Sequence, residues 1–387
     1  MRVREQPGYQ GVVKGWIRVV AGLCVGLWAW TLVGCEASSD PVPLADTGET
    51  GPEEVAGEFC ELYDVDGPYE VGVRTLRIDE THRMQVYYPA VEGSPLEQAA
   101  VDVREQMPEA LGEALFDGQW RWMIEARHDA QVHENGGFGV VLFSHGPGGF
   151  AGQSADVLVK MASHGLVVAA PEQREWGLYQ VLAKGAPAGD EALETLRRAR
   201  QALEEDEALG EVIESDQVVV VGHSAGARAA AEMLHDSGVR GAVFWNSSTV
   251  VAVEDRSVMW IVGEADLLAT PARVRSRRDM SVTRGRLVEV GGMGHLSSTR
   301  VCEVAGGPHA LVARLVDEGV EVPPIVALTL TRSCEAATLS RGRAQEVVAH
   351  YTTAQALEAM GRSLPAEALG PDSAECFGDV VLAFEPE

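Results

Sequence analysis

The sequence predicts an α/β protein organised on a mostly parallel, doubly wound sheet with helices on both faces. Two observations carry that expectation. Apolar runs rich in β-branched residues alternate with helical stretches through the middle of the chain, which is the pattern of βαβ units. Each run also closes in polar residues or glycine, as a buried strand does where it emerges at the carboxyl edge that holds the sites of such sheets.

In chain order, "EVGVRTLRID" and "HRMQVYYPA" read as an antiparallel pair opening the domain, and "FGVVLFSHG" as a buried strand. "GLVVAAPE" follows a helical stretch, and "DQVVVVGHS", "GAVFWNSS", "SVMWIVGEAD" and "GRLVEVGGMGH" complete the set. The helix-rich stretch from Trp176 to Glu211 is a crossover or part of a lid.

Ahead of this lies an N-terminus of different character. Residues 1–34 hold four basic side chains and then the apolar run "VVAGLCVGLWAWTLVG". The run falls short of the roughly 20 residues a membrane span needs and fits a secretory signal core. Leu32-Val33-Gly34-Cys35 resembles a bacterial lipobox, which makes Cys35 the lipidated residue of the mature chain. An uncleaved single-span anchor is the alternative, and either one puts the domain outside the cytoplasm. Glu36 is not the aspartate that retains many lipoproteins at the inner membrane, so the outer membrane of a bacterial envelope is expected. Residues 35–58 are acidic and rich in Pro, Gly, Ser and Thr, the composition of a disordered tether, leaving 59–387 as the folded domain.

The net charge is −27 over 387 residues. Such a surface repels nucleic acid and anionic lipid. No nucleic-acid partner is therefore expected, and membrane association only through the anchor. With Cys24 removed and Cys35 lipidated, Cys60, Cys302, Cys334 and Cys376 remain. An even number in an exported domain suggests two disulfides with three connectivities. Cys302–Cys334 is favoured because the two flank one contiguous segment, and Cys60–Cys376 would then join the domain's ends. No Cys or His cluster has metal-ligand spacing, so neither metal nor cofactor is expected.

The chemistry lies in Gly222-His223-Ser224-Ala225-Gly226, set between a run of valines and an Ala-rich helix. This is the form of a nucleophile elbow, G-x-S-x-G on a tight strand-to-helix turn. A serine nucleophile needs a base, and the base an orienting acid, in the chain order Ser, acid, His. Asp266 follows the next strand but one, and His295 the strand after that. Glu264 is the rival acid. Charge developing on a tetrahedral oxygen needs backbone N–H donors, and Ala225, at the start of the helix after the elbow, is one by position.

These segments resemble the secreted α/β-hydrolases that include platelet-activating-factor acetylhydrolases, dienelactone-hydrolase-like proteins and bacterial cutinases. "VVLFSHGPGGF", "MASHGLVVAAPE", "VVVVGHSAGA", "FWNSST" and "GMGHLSS" carry the resemblance, which runs from Gly67 and thins after His295. It implies an α/β-hydrolase fold and a cofactor-free serine esterase, a monomer acting on small-molecule, lipid or polyester substrates. A catalytically impaired binding module is the alternative. By the same resemblance the second oxyanion donor falls on Pro147, which has no N–H, so Gly148 is expected to take over. The resemblance also places Trp245 and Pro147 at the substrate cleft, makes His223 a neighbour of the elbow serine and has His145 brace the oxyanion loop. Trp120, Trp122 and Trp176 could edge the cleft, although burial is the expectation for each.

Overall fold

The computed structural model describes residues 63–93, 96–115, 118–185, 188–365 and 367–387. The expected signal peptide, Cys35, the tether and Cys60 lie outside the described residues. Among those described, no helix is long and apolar enough to cross a membrane.

Eleven described strands form one sheet: β1 (Glu70–Arg77), β2 (Arg83–Ala90), β3 (Gln98–Asp102), β4 (Arg121–His128), β5 (Phe138–Ser144), β6 (Leu166–Pro171), β7 (Ile213–His223), β8 (Val239–Trp245), β9 (Ser257–Gly263), β10 (Arg286–Val290) and β11 (Val381–Glu385). The helices are α1 (Glu109–Ala114), α2 (Ala155–Ser163), α3 (Leu178–Lys184), α4 (Ala192–Glu205), α5 (Gly226–Met233), α6 (Pro271–Asp279), α7 (Pro308–Asp317), α8 (Pro324–Glu335), α9 (Arg341–Ala359) and α10 (Pro371–Cys376). Strand order across the sheet is β11-β10-β9-β8-β7-β5-β6-β2-β1-β4-β3.

The six strands from β10 to β6 in that order are mutually parallel, as expected. β1 and β2 pair antiparallel from Glu70 against Ala90 to Arg77 against Arg83, again as expected. β3, β4 and β11 were not anticipated. β4 alternates exposed and buried residues and carries three charged side chains and a histidine among its eight, which hides an edge strand from a search for apolar runs.

Valines of β7 show how the sheet is sandwiched. Side chains alternate faces along a strand: Val219 and Val221 enter a core shared with α2 and α9, while Val218 and Val220 enter one shared with α4 and α5. Both faces are covered, so the strand is a continuous apolar run. β5 has β6 on one side and β7 on the other. The chain thus reverses its winding between β5 and β7, and the loops leaving their carboxyl ends open a crevice there. The loop after β5 is 145–149, and β7 ends in the elbow.

The segment after β10 is fastened by a Cys302–Cys334 disulfide spanning 32 residues, the pairing expected. Cys376 is also disulfide-bonded, to a partner outside the described residues.

Candidate active site

Ser224 sits at the tip of the elbow with φ +55°, a left-handed conformation that costs a non-glycine residue energy. Glycines on both sides make the turn feasible. A Cβ on Gly222 would stand 2.3 Å from Cα of Ala227, and one on Gly226 would stand 2.3 Å from the carbonyl oxygen of Ser144. The Ser224 N–H donates to the Trp245 carbonyl (2.9 Å), which ties the elbow to β8.

The Ser224 hydroxyl donates to Nε2 of His295 (2.9 Å), and Nδ1–H of His295 donates to Oδ2 of Asp266 (2.8 Å). The other Asp266 oxygen accepts the N–H groups of Leu268 (2.7 Å) and Ala269 (2.8 Å). These bonds fix the orientation of the carboxylate. Asp266 and His295 are buried, whereas Ser224 stays partly exposed. Glu264 is exposed and accepts from the Gly292 N–H instead (3.1 Å). The structure therefore brings together Ser224, His295 and Asp266 and leaves the rival acid outside.

Two residues besides Ser224, Asp266 and His295 hold the histidine loop. Nε2–H of His223 donates to the His295 carbonyl (2.9 Å), and its Nδ1 faces the Gln153 amide (3.3 Å). Burial, with His295 beside it, pushes the His223 pKa down to about 3, so the ring is neutral. Asn246 was missed in the sequence. Its amide donates to the carbonyls of Gly294 and His295 (both 3.1 Å), and its oxygen accepts the Gly263 N–H (2.9 Å). Asn246 stands at φ +48°, a region where asparagine is several-fold enriched. The available signal was an asparagine directly after the run "GAVFW".

The loop after β5 departs from expectation. Gly148, at φ +73°, gives its N–H to the Trp176 carbonyl (2.9 Å). It does not present that donor to Ser224, and the expectation that it replaces Pro147 is corrected. Pro147 is exposed and does not line the cleft. Gly146 packs directly on the serine: a Cβ there would lie 3.0 Å from Cβ of Ser224. Ala225, exposed and N-terminal to α5, lines the cleft with Ser224.

His145 does brace this loop. Its Nδ1–H donates to the Gly146 carbonyl (2.9 Å), and its Nε2 accepts the Gln173 N–H (3.2 Å), which defines a neutral tautomer. Burial takes its pKa down to about 4 and that of neighbouring Glu172 up to about 8. Their 3.6 Å approach is consequently a contact between neutral groups at pH 7.

Trp245 is a second correction. Its ring is wholly buried, 5.3 Å from that of Phe143 between centroids, and its indole N–H donates to Thr352 on α9 (2.9 Å). Strand alternation turns residue 245 into the core, while Asn246 and the serines after it reach the cleft. Trp120 is also fully buried, and Trp122 packs against Phe150 with centroids 6.2 Å apart. Trp176 does line the cleft, a cavity of about 500 Å³ bounded also by Ser224, His295, Asn246, Leu268 and Arg228. That size suits a small organic ligand.

Among solved structures the chain is similar to a ferulic acid esterase from Streptomyces cinnamoneus, with TM-score 0.58 and 18% identity over 81% of this chain and 97% of that one. The chain has the α/β-hydrolase fold. A family model for platelet-activating factor acetylhydrolase, isoform II, matches residues 57–180. The platelet-activating factor acetylhydrolase of Cavia porcellus is 26% identical over 121 residues, which cover 28% of this chain and 28% of that protein. The chain thus matches little more than a quarter of its curated relative's length. The family match takes in the loop after β5 and ends before Ser224.

Proposed function

We propose that this α/β-hydrolase is a carboxylic-ester hydrolase acting through Ser224, His295 and Asp266. The observation that carries the reading is the unbroken chain of hydrogen bonds from Ser224 through His295 to Asp266, at 2.9 and 2.8 Å. In the proposed reaction Ser224 Oγ attacks the acyl carbon while His295 Nε2 takes its proton, and the resulting imidazolium is stabilised by Asp266. Collapse of the tetrahedral intermediate passes that proton to the leaving alcohol. Water, deprotonated by His295, then releases the acid from the acyl-serine. Ala225 N–H meets the oxyanion. One similar protein is an acetylhydrolase by name and the other an esterase, which supports an ester substrate small enough for the cleft.

On sequence grounds the proposal extends to a monomer, lipid-anchored through Cys35 at the bacterial cell envelope and more readily at the outer membrane. A second reading, a catalytically impaired hydrolase fold serving as a binding module, draws on Pro147 and on the engaged N–H of Gly148. Labelling by a fluorophosphonate probe, together with hydrolysis of p-nitrophenyl acetate and butyrate, separates the two. Both signals should vanish in Ser224→Ala. Absence of both in the unaltered protein would favour the binding module.

A further inference from the structure

Away from the serine, three segments converge on one buried histidine. His82, in the turn between β1 and β2, is 4% exposed. Its Nε2 lies 2.9 Å from Oε1 of Glu175, in the loop after β6, and its Nδ1 lies 2.9 Å from Oδ2 of Asp79. One carboxylate oxygen of Glu191, at the N-terminus of α4, completes a set in which the ligand atoms of His82, Glu175 and Glu191 all lie within 4.8 Å of one another.

We propose that His82, Glu175 and Glu191 form a binding site for a divalent transition-metal ion of the Zn²⁺ type. The donor set is one imidazole nitrogen and two carboxylates, three protein ligands that leave a fourth position for water. With metal–ligand bonds near 2 Å, tetrahedral ligand atoms stand about 3.3 Å apart. The His82–Glu175 pair is within a few tenths of an ångström of that spacing, and Glu191 has only to draw inward. The outer shell is also in place. A metal-bound imidazole usually gives its other N–H to a carboxylate that fixes ring and tautomer, and Asp79 holds Nδ1 in that way. Hydrogen bonds from the N–H groups of Thr81 and His82 and from both side chains anchor Asp79.

Charge argues in the same direction. Arg198 pairs with Asp79, which leaves Glu175 and Glu191 facing a single imidazole. A dication would balance the two carboxylates. Glu191 is exposed, and its side chain makes no hydrogen bond or ion pair among the described residues. The site was invisible to spacing rules because its ligands sit on separate segments, with His82 and Glu175 alone 93 residues apart. Metal here would pin the loop that ends in Trp176, whose carbonyl holds Gly148.

The test is Zn²⁺ titration of the chelator-stripped full chain, read by calorimetry and by the melting temperature, with no ester present. Success or failure of the esterase reading therefore does not bear on it. We expect one saturable equivalent of Zn²⁺ and a rise in melting temperature. Glu191→Gln should melt like the unaltered protein without metal and bind Zn²⁺ at least about tenfold more weakly. Glu191→His, which restores a ligand, should regain most of that affinity. Lack of saturable binding would overturn the proposal. So would equal Zn²⁺ binding by Glu191→Gln, which marks an adventitious surface site, or a Ca²⁺ response as large as that to Zn²⁺, which an imidazole-containing set does not support.

Discussion

The N–H of Gly148 points to the carbonyl of Trp176, 2.9 Å away, and so away from the serine. With proline at 147 and the Gly148 N–H engaged, neither residue of the loop after β5 supplies an oxyanion donor. A missing donor costs about 100- to 1000-fold in turnover. Pro147→Ala introduces an N–H at the position where the resemblance places the donor, and kcat for p-nitrophenyl butyrate should rise by about tenfold or more. An unchanged or lower kcat would show that the hole is complete without residue 147.

Ser224→Ala should lower kcat by as much as about 10⁶-fold while leaving the circular dichroism spectrum unchanged. Asp266→Asn should cost about 10⁴-fold by favouring the wrong histidine tautomer. Glu264→Gln should be nearly silent, because Glu264 meets the Gly292 N–H and not His295. A crippled Glu264→Gln enzyme beside an active Asp266→Asn one would reverse the assignment of the acid.

Asn246 holds two carbonyls of the histidine loop and one N–H at the end of β9. Asn246→Ala leaves these groups without partners, and a small displacement of His295 can cost on the order of 100-fold. The loss should appear in kcat with KM nearly constant. A loss confined to KM would make Asn246 a substrate contact instead.

Burial raises the Glu172 pKa from 4.5 to about 8. A group with a raised folded pKa contributes its full stability below the unfolded value and loses it as pH climbs through the folded one. The unaltered protein should therefore lose stability between about pH 4.5 and 8, by at most about 1.4 kcal/mol per pH unit from this group. Glu172→Gln keeps an oxygen for the Ala151 N–H, which Glu172 accepts at 2.9 Å. Urea unfolding of the two proteins should diverge across that window, with the variant the more stable at pH 8. Parallel curves would refute the shift.

Replacing both Cys302 and Cys334 by serine opens a loop of 32 residues. In the chain-entropy model this should cost about 3–4 kcal/mol, measured as a fall in the urea midpoint at unchanged slope. The outer segment holding α7 and α8 should then be cut first by protease.

Much of the fold was legible in the chain. β5 to β10 are apolar runs because a strand covered on both faces has no solvent side to mark with polar residues. The elbow was legible for a related reason, since only Gly222 and Gly226 let β7 turn into α5 so sharply around Ser224. Asp266 and His295 followed from chain order. β4 escaped because an edge strand carries charge, and β11 because its pairing partner, β10, lies far back in the sequence.

Sequence by itself determined the strands, the elbow and the chain order of serine, acid and histidine, all properties of local spacing and composition. Tertiary structure alone decided where each N–H and each ring points. It turned Gly148 toward Trp176, placed Trp245 in the core, set Asn246 beneath the histidine loop and gathered His82, Glu175 and Glu191 from three segments. The reason is physical: periodicity encodes which face of an element is buried, whereas the partner of a hydrogen bond depends on segments brought together only when the sheet closes.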